Sequence, residues 1–106
     1  MVPMRQIRAL ARRIAAEFEP EKIILFGSHA AGTATKDSDV DLLIVRRHRD
    51  DGVRQAVAIR LALRTNFPLD IIVRSPQDVR RRLKMGDTFL RHILEQGTVL
   101  YENGHG

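Results

Sequence analysis

The amino-terminal segment shows the spacing of an amphipathic helix. Apolar side chains recur every three or four residues and the arginines lie largely away from them, so the pattern predicts a helix over Met1–Phe18. Its apolar stripe consists of Ile7, Leu10, Ala11, Ile14 and Phe18. Glu19 and Pro20 end the helix, because a residue before proline is disfavoured in the helical conformation. The lack of acids before Glu17 also fits a transit peptide, but the regular spacing favours a helix of the fold.

Short continuous apolar runs predict buried strands, since branched and aromatic side chains suit a sheet that is covered on both faces. Lys22–Phe26 is the first such run and Leu42–Val45 the second. Phe67–Val73 is the third, and Thr98–Tyr101 forms a short strand near the carboxyl end. With the helical segments around them, these strands predict an α/β (α+β) fold in which helices flank a small sheet.

Residues 46–51 form a charged segment and predict a loop. Gly52–Thr65 then carries apolar residues with arginines between them, which predicts a helix packed on the sheet. The apolar positions of this segment are Val53, Val57, Ile59, Leu61 and Leu63.

Helix start and stop signals mark the last third of the chain. Ser75 can cap a helix that carries proline in its first turn. Gly86 and Asp87 break or bend that helix, and Asp87 can cap a second one that continues to Gly97. Residues 102–106 are expected to fray.

Gly27 and Ser28 directly follow the first predicted strand, and Asp39 and Asp41 open the second. Glycine lets the backbone approach a phosphate oxygen, while the serine adds a hydroxyl donor and can cap a short helical turn over residues 29–31, whose free N–H groups attract an anion. Side chains alternate along a strand, so the two aspartates point the same way and attract a cation, with oxygen ligands that favour Mg²⁺ or Mn²⁺ over Zn²⁺. Each motif alone is common as an ordinary turn or a solvated strand start. Their combination indicates a joint phosphate and metal site.

Asp70 interrupts the apolar run of the third predicted strand. It lies either at the solvent-exposed start of that strand or beside Asp39 and Asp41 on a neighbouring strand, and we favour the second arrangement. Three aspartates on two strands can bind two divalent ions, which orient an attacking oxygen, a phosphorus centre and a leaving oxygen for in-line displacement.

The pattern Gly27-Ser28, ten residues, Asp39-x-Asp41 and a lone aspartate in a later strand resembles the minimal nucleotidyltransferases of the DNA polymerase beta-like superfamily. The similarity extends to the leading helix and to the final helix and short strand, so it covers nearly the whole chain. It implies a nucleotidyltransferase fold with a small mixed sheet. It also implies transfer of a nucleoside monophosphate, usually AMP from Mg-ATP, to a hydroxyl group, with pyrophosphate leaving.

The resemblance also implies a role for each matching residue. Asp39 and Asp41 would ligate two Mg²⁺ ions that bridge the triphosphate of ATP. Asp70 would share the ion that activates the acceptor hydroxyl and would help to take its proton. Gly27 and Ser28 would bind the triphosphate through backbone N–H groups and the hydroxyl.

Three positions between the two motifs bear on nucleotide binding. Ser38, directly before the aspartate pair, is a further candidate residue for it. Many family members read Gly-Ser-Arg-Ala-Arg-Gly, and this chain has His29 and Ala31 in place of the two arginines. The loss of these charges can weaken ATP binding unless Lys36 or another basic residue replaces them. The three aspartates are intact, which favours catalysis.

The net charge of +5, from 18 basic and 13 acidic side chains, is of a kind that often indicates nucleic-acid binding. The aspartates of the proposed site and the small number of aromatic residues argue against direct contact with nucleic acid. We interpret the densest basic run, Arg80–Arg82 with Lys84, as a solvated helix face, with an acidic protein partner or RNA as alternatives. The chain has no cysteine and no apolar run of membrane-spanning length, so we expect it in a reducing compartment, the cytoplasm, without membrane association.

The length of 106 residues fits one domain, residues 1–106, without a second core. Larger nucleotidyltransferases carry their acceptor-binding surface on an additional domain, so we expect a partner, a second copy or the acceptor itself to complete the site in a homo- or hetero-oligomer. One-domain members of the family are commonly antitoxins that silence HEPN-type RNase toxins by transferring AMP to a tyrosine hydroxyl. This is our leading hypothesis. The alternatives are an antitoxin that acts by stoichiometric binding alone and an enzyme that adenylylates a small molecule such as an antibiotic.

Overall fold

The computed structural model describes residues 1–48 and 52–103. In this part of the chain, helices and strands follow the order α1 (Met4–Phe18), β1 (Lys22–Phe26), α2 (Ser28–Ala31), β2 (Val40–Val45), α3 (Gly52–Ala62), β3 (Leu69–Arg74), α4 (Pro76–Lys84), α5 (Thr88–Gln96) and β4 (Thr98–Glu102). None of the helices within these residues combines the length and the apolar character that crossing a bilayer requires.

The strands form one mixed sheet with the order β3-β2-β1-β4. β1 runs antiparallel to β2 and to β4, whereas β2 and β3 are parallel. A parallel pair needs a crossover connection, and α3 lies within it. Because β1 ends where β2 and β3 begin, three segments of the chain meet at one end of the sheet. The predicted mixed sheet with flanking helices is confirmed.

Helices cover both faces of the sheet, which explains why β1 and β2 are almost continuously apolar. On one face, α1 and α3 pack on alternate strand positions in a cluster of buried side chains. Its members are Ile7, Leu10, Ala11, Ile14, Ile23, Leu25, Val40, Leu42, Ile44, Ile59, Leu63, Ile71 and Val73. On the other face, α4 and α5 cover a smaller cluster that comprises Ile24, Leu43, Val45, Leu90 and Ile93.

The predicted amino-terminal helix forms as α1, and its apolar stripe is buried except for Phe18, which is half-buried. Pro3 takes the N-cap position, and Glu19 ends the helix with a left-handed backbone at φ 48°. The guanidinium of Arg46 lies 5.6 Å from the centre of the Phe18 ring and its Nε donates a hydrogen bond to the Phe18 carbonyl at 2.8 Å. The end of α1 is thereby attached to the end of β2.

The helix predicted over Gly52–Thr65 forms as α3 but ends earlier, and only part of its apolar set faces the sheet. Ile59 and Leu63 are buried. Val53, Val57 and Leu61 are 72%, 50% and 78% exposed. The prediction that these three side chains pack on the sheet is therefore wrong. Their four-residue spacing places them together on another side of the helix.

The predicted helix starts and the break between the last two helices are confirmed. The Ser75 hydroxyl accepts a hydrogen bond from the N–H of Asp78 at 3.0 Å, which caps α4. The Asp87 carboxylate accepts one from the N–H of Leu90 at 2.9 Å and caps α5. Between the two helices, Gly86 has a positive φ of 86°.

Two predicted irregular segments lie partly outside the described residues, namely the charged loop at 46–51 and the frayed end at 102–106. In the described part, β4 extends through Glu102. The N–H of Asn103 donates to the carbonyl of Glu21 at 2.9 Å. This part of the carboxyl end is therefore paired with the sheet and not frayed.

Candidate active site

The strand register brings Asp41 and Asp70 side by side. Asp41 of β2 and Asp70 of β3 are direct partners in the parallel pair, and Phe26 of β1 is the antiparallel partner of Asp41. Directly paired residues project from the same face, so the three side chains form a row on the face that α4 and α5 cover. The side chain of Asp70 is 67% exposed. Asp70 thus lies at the exposed start of its strand and beside a second carboxylate, so both interpretations of the sequence hold.

The Asp41 carboxylate lies in an unfavourable electrostatic environment. Burial raises the pKa of Asp41, and the carboxylates of Asp70 and Asp39 raise it further, while His29 acts in the opposite direction. Asp39 lies directly before β2 and is exposed. The net upward direction indicates that the protein itself does not neutralise the negative charge at Asp41. A bound cation would do so.

Gly27 lies against the Asp41 carboxylate. A Cβ atom on Gly27 would stand 2.3 Å from Oδ2 of Asp41, and the φ of Gly27 is +74°, a value that side chains rarely allow. Glycine is therefore required here both for its backbone conformation and for the space. The turn predicted to hold a phosphate is thereby placed next to a carboxylate predicted to hold a metal.

Ser28 is the first residue of α2 and not its cap, contrary to the prediction. Gly27 occupies the cap position because its positive φ turns the chain from β1 directly into the helix. The Gly27 carbonyl accepts hydrogen bonds from the N–H groups of Ala30 and Ala31 at 3.1 and 3.0 Å. These two amides are therefore used within the turn. The amides of Ser28 and His29 are the candidates for a phosphate.

His29 links three segments at the site. Its Nε2 accepts a hydrogen bond from the N–H of Val2 at 3.3 Å, and its Nδ1 lies 3.0 Å from the backbone carbonyl of Asp39. With Nε2 as the acceptor, Nδ1 is the donor to that carbonyl. The sequence favours a structural or solvent-facing role for this histidine, and the structure gives it the structural one. Its imidazole holds the start of β2 against α2 and the amino-terminal residues.

Ser38 and Lys36 lie in the loop between α2 and β2. The Ser38 hydroxyl accepts a hydrogen bond from the N–H of Thr35 at 2.8 Å and lies 3.3 Å from the Thr35 hydroxyl. These contacts fold the loop that leads to Asp39. Lys36 is exposed. Nucleotide binding by Ser38 stays a prediction.

Arg60 of α3 is a residue of the site that the sequence pattern misses. Its guanidinium donates a hydrogen bond to the backbone carbonyl of Leu69 and lies 3.8 Å from the Asp70 carboxylate. The two side chains are 55% and 67% exposed. No motif could reveal this pair, because it depends on how α3 lies against the first residues of β3.

A groove of about 670 Å³ adjoins the Gly27–Ser28 turn and runs between α2 and α5. Phe89, His92 and Gln96 line it from α5. Phe89 is 57% exposed, and its ring meets the Phe26 ring edge-on, with centroids 5.8 Å apart and planes at 86°. A groove of this size suits a small-molecule ligand such as a nucleotide. These residues of α5 belong to no motif in the sequence.

The carboxylates suit a metal ion whose remaining ligands come from the substrate. Within residues 1–48 and 52–103, no three histidine, aspartate or glutamate side chains converge into a complete metal site. Mg²⁺ in phosphoryl-transfer enzymes is usually held by one or two carboxylates together with substrate phosphates. The excess negative charge at Asp41, beside Asp39 and Asp70, is suited to such a partial ligand set.

Comparisons with known proteins agree with this geometry. The family described as polymerase beta, nucleotidyltransferase, matches residues 9–105. A protein of Methanocaldococcus jannaschii with the assigned name protein adenylyltransferase is 38% identical over 81 residues, which cover 76% of this chain and 78% of that protein.

Solved structures share the fold. A protein from Sulfolobus solfataricus described as a nucleotidyltransferase has a TM-score of 0.66 at 19% identity, over 96% of this chain and 82% of that chain. A toxin–antitoxin structure with AMP-PNP has a TM-score of 0.58 at 21% identity, over 92% and 74% of the two chains. A mutant of the toxin–antitoxin MntA–HpeT has a TM-score of 0.54 at 22% identity, over 98% and 76%. The family match and the relative at 38% identity show that this chain belongs to the polymerase beta nucleotidyltransferase family and is an enzyme of the nucleotidyltransferase class.

Proposed function

We propose that this chain is an antitoxin that transfers AMP from ATP, in a Mg²⁺-dependent reaction, to a tyrosine hydroxyl of a HEPN-type RNase toxin. The observation that carries the proposal is the approach of Gly27 to Asp41, which is itself paired with Asp70. The turn to which we assign phosphate binding and the two carboxylates to which we assign the metal and the acceptor proton are neighbours at one end of the sheet. The named activity of the M. jannaschii relative and the toxin–antitoxin neighbours support a protein acceptor.

In this proposal ATP occupies the groove between α2 and α5. Its triphosphate lies toward Gly27 and Ser28, where backbone N–H groups and the hydroxyl donate hydrogen bonds to phosphate oxygens. The exposed ring of Phe89 offers a flat apolar surface for the base. His92 and Gln96 supply polar groups on the same wall of the groove.

Asp39 and Asp41 would hold Mg²⁺ together with phosphate oxygens of ATP. The bound ion would neutralise charge that develops on the phosphates during transfer. Asp70 would take the proton of the acceptor hydroxyl as the hydroxyl oxygen attacks the α-phosphorus. A bond from the tyrosine oxygen to phosphorus forms, and the bond to the leaving pyrophosphate breaks.

We further propose that residues 1–106 form one catalytic domain and that the partner protein completes the acceptor site. Intact-mass measurement of the partner after incubation with the wild-type enzyme and Mg-ATP tests the reaction. We expect the mass of the partner to rise by one AMP group, and the rise to be absent with Asp39→Asn and Asp41→Asn. An unmodified partner would contradict the proposal. AMP found only on a small-molecule acceptor would favour the antibiotic-type enzyme.

A second candidate function is neutralisation of the toxin by binding alone. The observation that favours it is at His29, which stands where many family members have arginine. Its side chain bonds to the backbone of Asp39 and Val2, and a phosphate would have to compete for it. A toxin-protection assay in cells distinguishes the two functions. If binding suffices, Asp39→Asn with Asp41→Asn will still protect cells against the toxin, and if transfer is required it will not.

A further inference from the structure

The outer side of α3 carries an exposed apolar ridge, defined here as Val53, Val57 and Leu61. Residues four apart lie on one side of a helix, and these three are 72%, 50% and 78% exposed. On another side of the same helix, Ile59 is completely buried. The ridge holds three of the seven large apolar side chains that are exposed in the described part of the chain. A helix that is apolar on both its inner and its outer side is typical of one that is covered on both.

The ridge is continuous with a groove of about 280 Å³ between α3 and β3. Val53 and Val57 line the groove from the helix, and Ile71, Ile72 and Val73 line it from the strand. β3 is the outermost strand on this side of the sheet. Ridge and groove therefore form one apolar surface that can receive the side chains of a docked segment.

Basic residues border this surface. At about 100° per residue along a helix, Arg54 and Arg60 lie on the two flanks of the ridge. Arg60 is also paired with Asp70, but its side chain is 55% exposed, so part of its guanidinium stays accessible to a further carboxylate. The sequence of α3, Gly52–Ala62, contains no acidic residue. A second copy of the chain docked through the same face would bring like charges together, which disfavours self-association. A partner whose apolar patch is bordered by carboxylates would be complementary in both shape and charge.

Arg60 also connects the ridge to the active site. It directly precedes Leu61 of the ridge, and its guanidinium lies 3.8 Å from the Asp70 carboxylate. The Leu61 end of the ridge is therefore connected, through Arg60, to the residue to which we assign the proton of the acceptor hydroxyl.

We propose that the α3 ridge is the docking surface for the acceptor protein. The acceptor binds through an amphipathic segment with a carboxylate border, and it presents its hydroxyl at Asp70. The identity of the acceptor rests on the proposed function. Docking is measured separately from AMP transfer, so the two can fail independently.

Two substitutions of one ridge residue test the proposal, with the purified protein encoded beside this chain as the probe. Val57→Glu and Val57→Lys both introduce a better helix former than valine. The two new side chains carry opposite charges. We expect Val57→Glu to weaken binding of the probe at least about tenfold, because it adds a carboxylate opposite the carboxylate border. Val57→Lys should weaken it several-fold less, because its ammonium matches that border. Met85→Glu is the control and should bind like the wild type, because Met85 is 74% exposed and ends α4, on the face of the sheet opposite α3.

Titration with AMP-PNP shows whether each variant keeps its nucleotide site, and we expect equal affinity in all of them. Wild-type affinity of Val57→Glu for the probe would overturn the docking surface. Equal weakening by Glu and Lys would overturn the carboxylate border. A wild-type dimer that Val57→Glu converts to a monomer would assign the ridge to a second copy instead. If Val57→Glu weakens binding but the wild type transfers no AMP, docking stands and the proposed chemistry fails.

Discussion

Two regions of this molecule hold carboxylates in opposite surroundings. At the start of β2, Asp41 has Asp70 and Asp39 as its charged neighbours. On α4, Asp78 is surrounded by guanidinium groups, and the Nε atoms of Arg82 and Arg74 lie 2.9 and 3.6 Å from its Oδ2. The Arg81 guanidinium donates a further hydrogen bond to Oδ1. Two arginines of the basic run on α4 are thus engaged within the protein, so the run is less free for a partner than its sequence indicates.

Burial acts in the same direction at both carboxyls, but the neighbours decide the outcome. At Asp78, burial acts to raise the pKa, but hydrogen bonds and charge from Arg81 and Arg82 outweigh it, and the pKa is lowered. At Asp41, burial and the nearby carboxylates all raise the pKa. The fold satisfies one carboxylate and leaves the other unsatisfied, which is typical of a site kept for a ligand. The neighbours of Asp78 stabilise its charge, whereas those of Asp41, the carboxylate to which we assign metal binding, destabilise it.

The largest expected effect is on the rate of AMP transfer, which substitution of Asp41 should lower without lowering stability. Asp41→Asn should lower the rate of AMP transfer on the order of 10³-fold or more, because a ligand for the charge-neutralising ion is lost. Its melting temperature should stay equal or rise, since repulsion among carboxylates is relieved. Asp78→Asn is the matched control and should keep the transfer rate. Wild-type transfer by Asp41→Asn in an intact-mass time course would remove the contrast between the two regions.

The second-largest expected effect is a loss of transfer activity on substitution of Gly27, and Gly32 provides the control. A methyl group on Gly27 would collide with the Asp41 carboxylate, which can rotate away, so Gly27→Ala should displace that group and lower transfer about 100-fold. Gly32 also has a positive φ, of +78°, but a Cβ there would meet nothing within 4 Å. Gly32→Ala should cost about 1–2 kcal/mol of folding stability, because Gly32 has a left-handed helical backbone. Gly27→Ala should cost about 3 kcal/mol, because its φ of 74° with a ψ of −155° lies in a region that is nearly restricted to glycine. Only Gly27→Ala should impair transfer, and similar rates for the two variants would show that the contact with Asp41 is unimportant.

Local spacing explains how much of the site could be predicted from the sequence. Gly27 ends an apolar run, and Asp39 and Asp41 open another, so alternation along a strand and the conformational freedom of glycine place them without tertiary information. To predict that Asp70 lies beside Asp41, one must know the register of β2 and β3. The sequence only favours that register as one of two arrangements.

The remaining features depend on how helices lie on the sheet. Arg60 reaches Asp70, and Phe89 reaches Phe26, only because α3 and α5 pack as they do. The apolar spacing of α3 predicts a helix correctly. It does not show which side faces the core, because a four-residue period is the same for an inner stripe and an outer one. The exposure of Val57 could therefore not be predicted from the spacing.

The third expected effect tests how the region around Asp41 is held in place. His29→Ala removes the imidazole that joins Val2 to the carbonyl of Asp39, and the loss of such a bond costs about 1 kcal/mol. We expect kcat for AMP transfer to fall about five- to tenfold with little change in KM for ATP, because the group positions Asp39 and does not contact nucleotide. Partial recovery with His29→Gln would support positioning. A large rise in KM for ATP would instead indicate that His29 binds phosphate.

The smallest expected effect is on stability alone and comes from the satisfied carboxylate. Asp78→Asn should lower the free energy of unfolding at neutral pH by about 0.5–1 kcal/mol, because the charge-assisted hydrogen bonds to Arg81 and Arg82, which solvent screens, are weakened. The pKa of Asp78 is lowered from its ordinary value of 3.8, so this stabilisation is complete above that value and disappears as pH falls through the lower pKa of the folded state. Urea unfolding of both proteins over a pH series measures it. The difference between wild type and variant should be constant near neutrality and shrink in acid. A difference that grows in acid would show that the arginines do not favour the ionised form of Asp78, and the contrast with Asp41 would then have another origin.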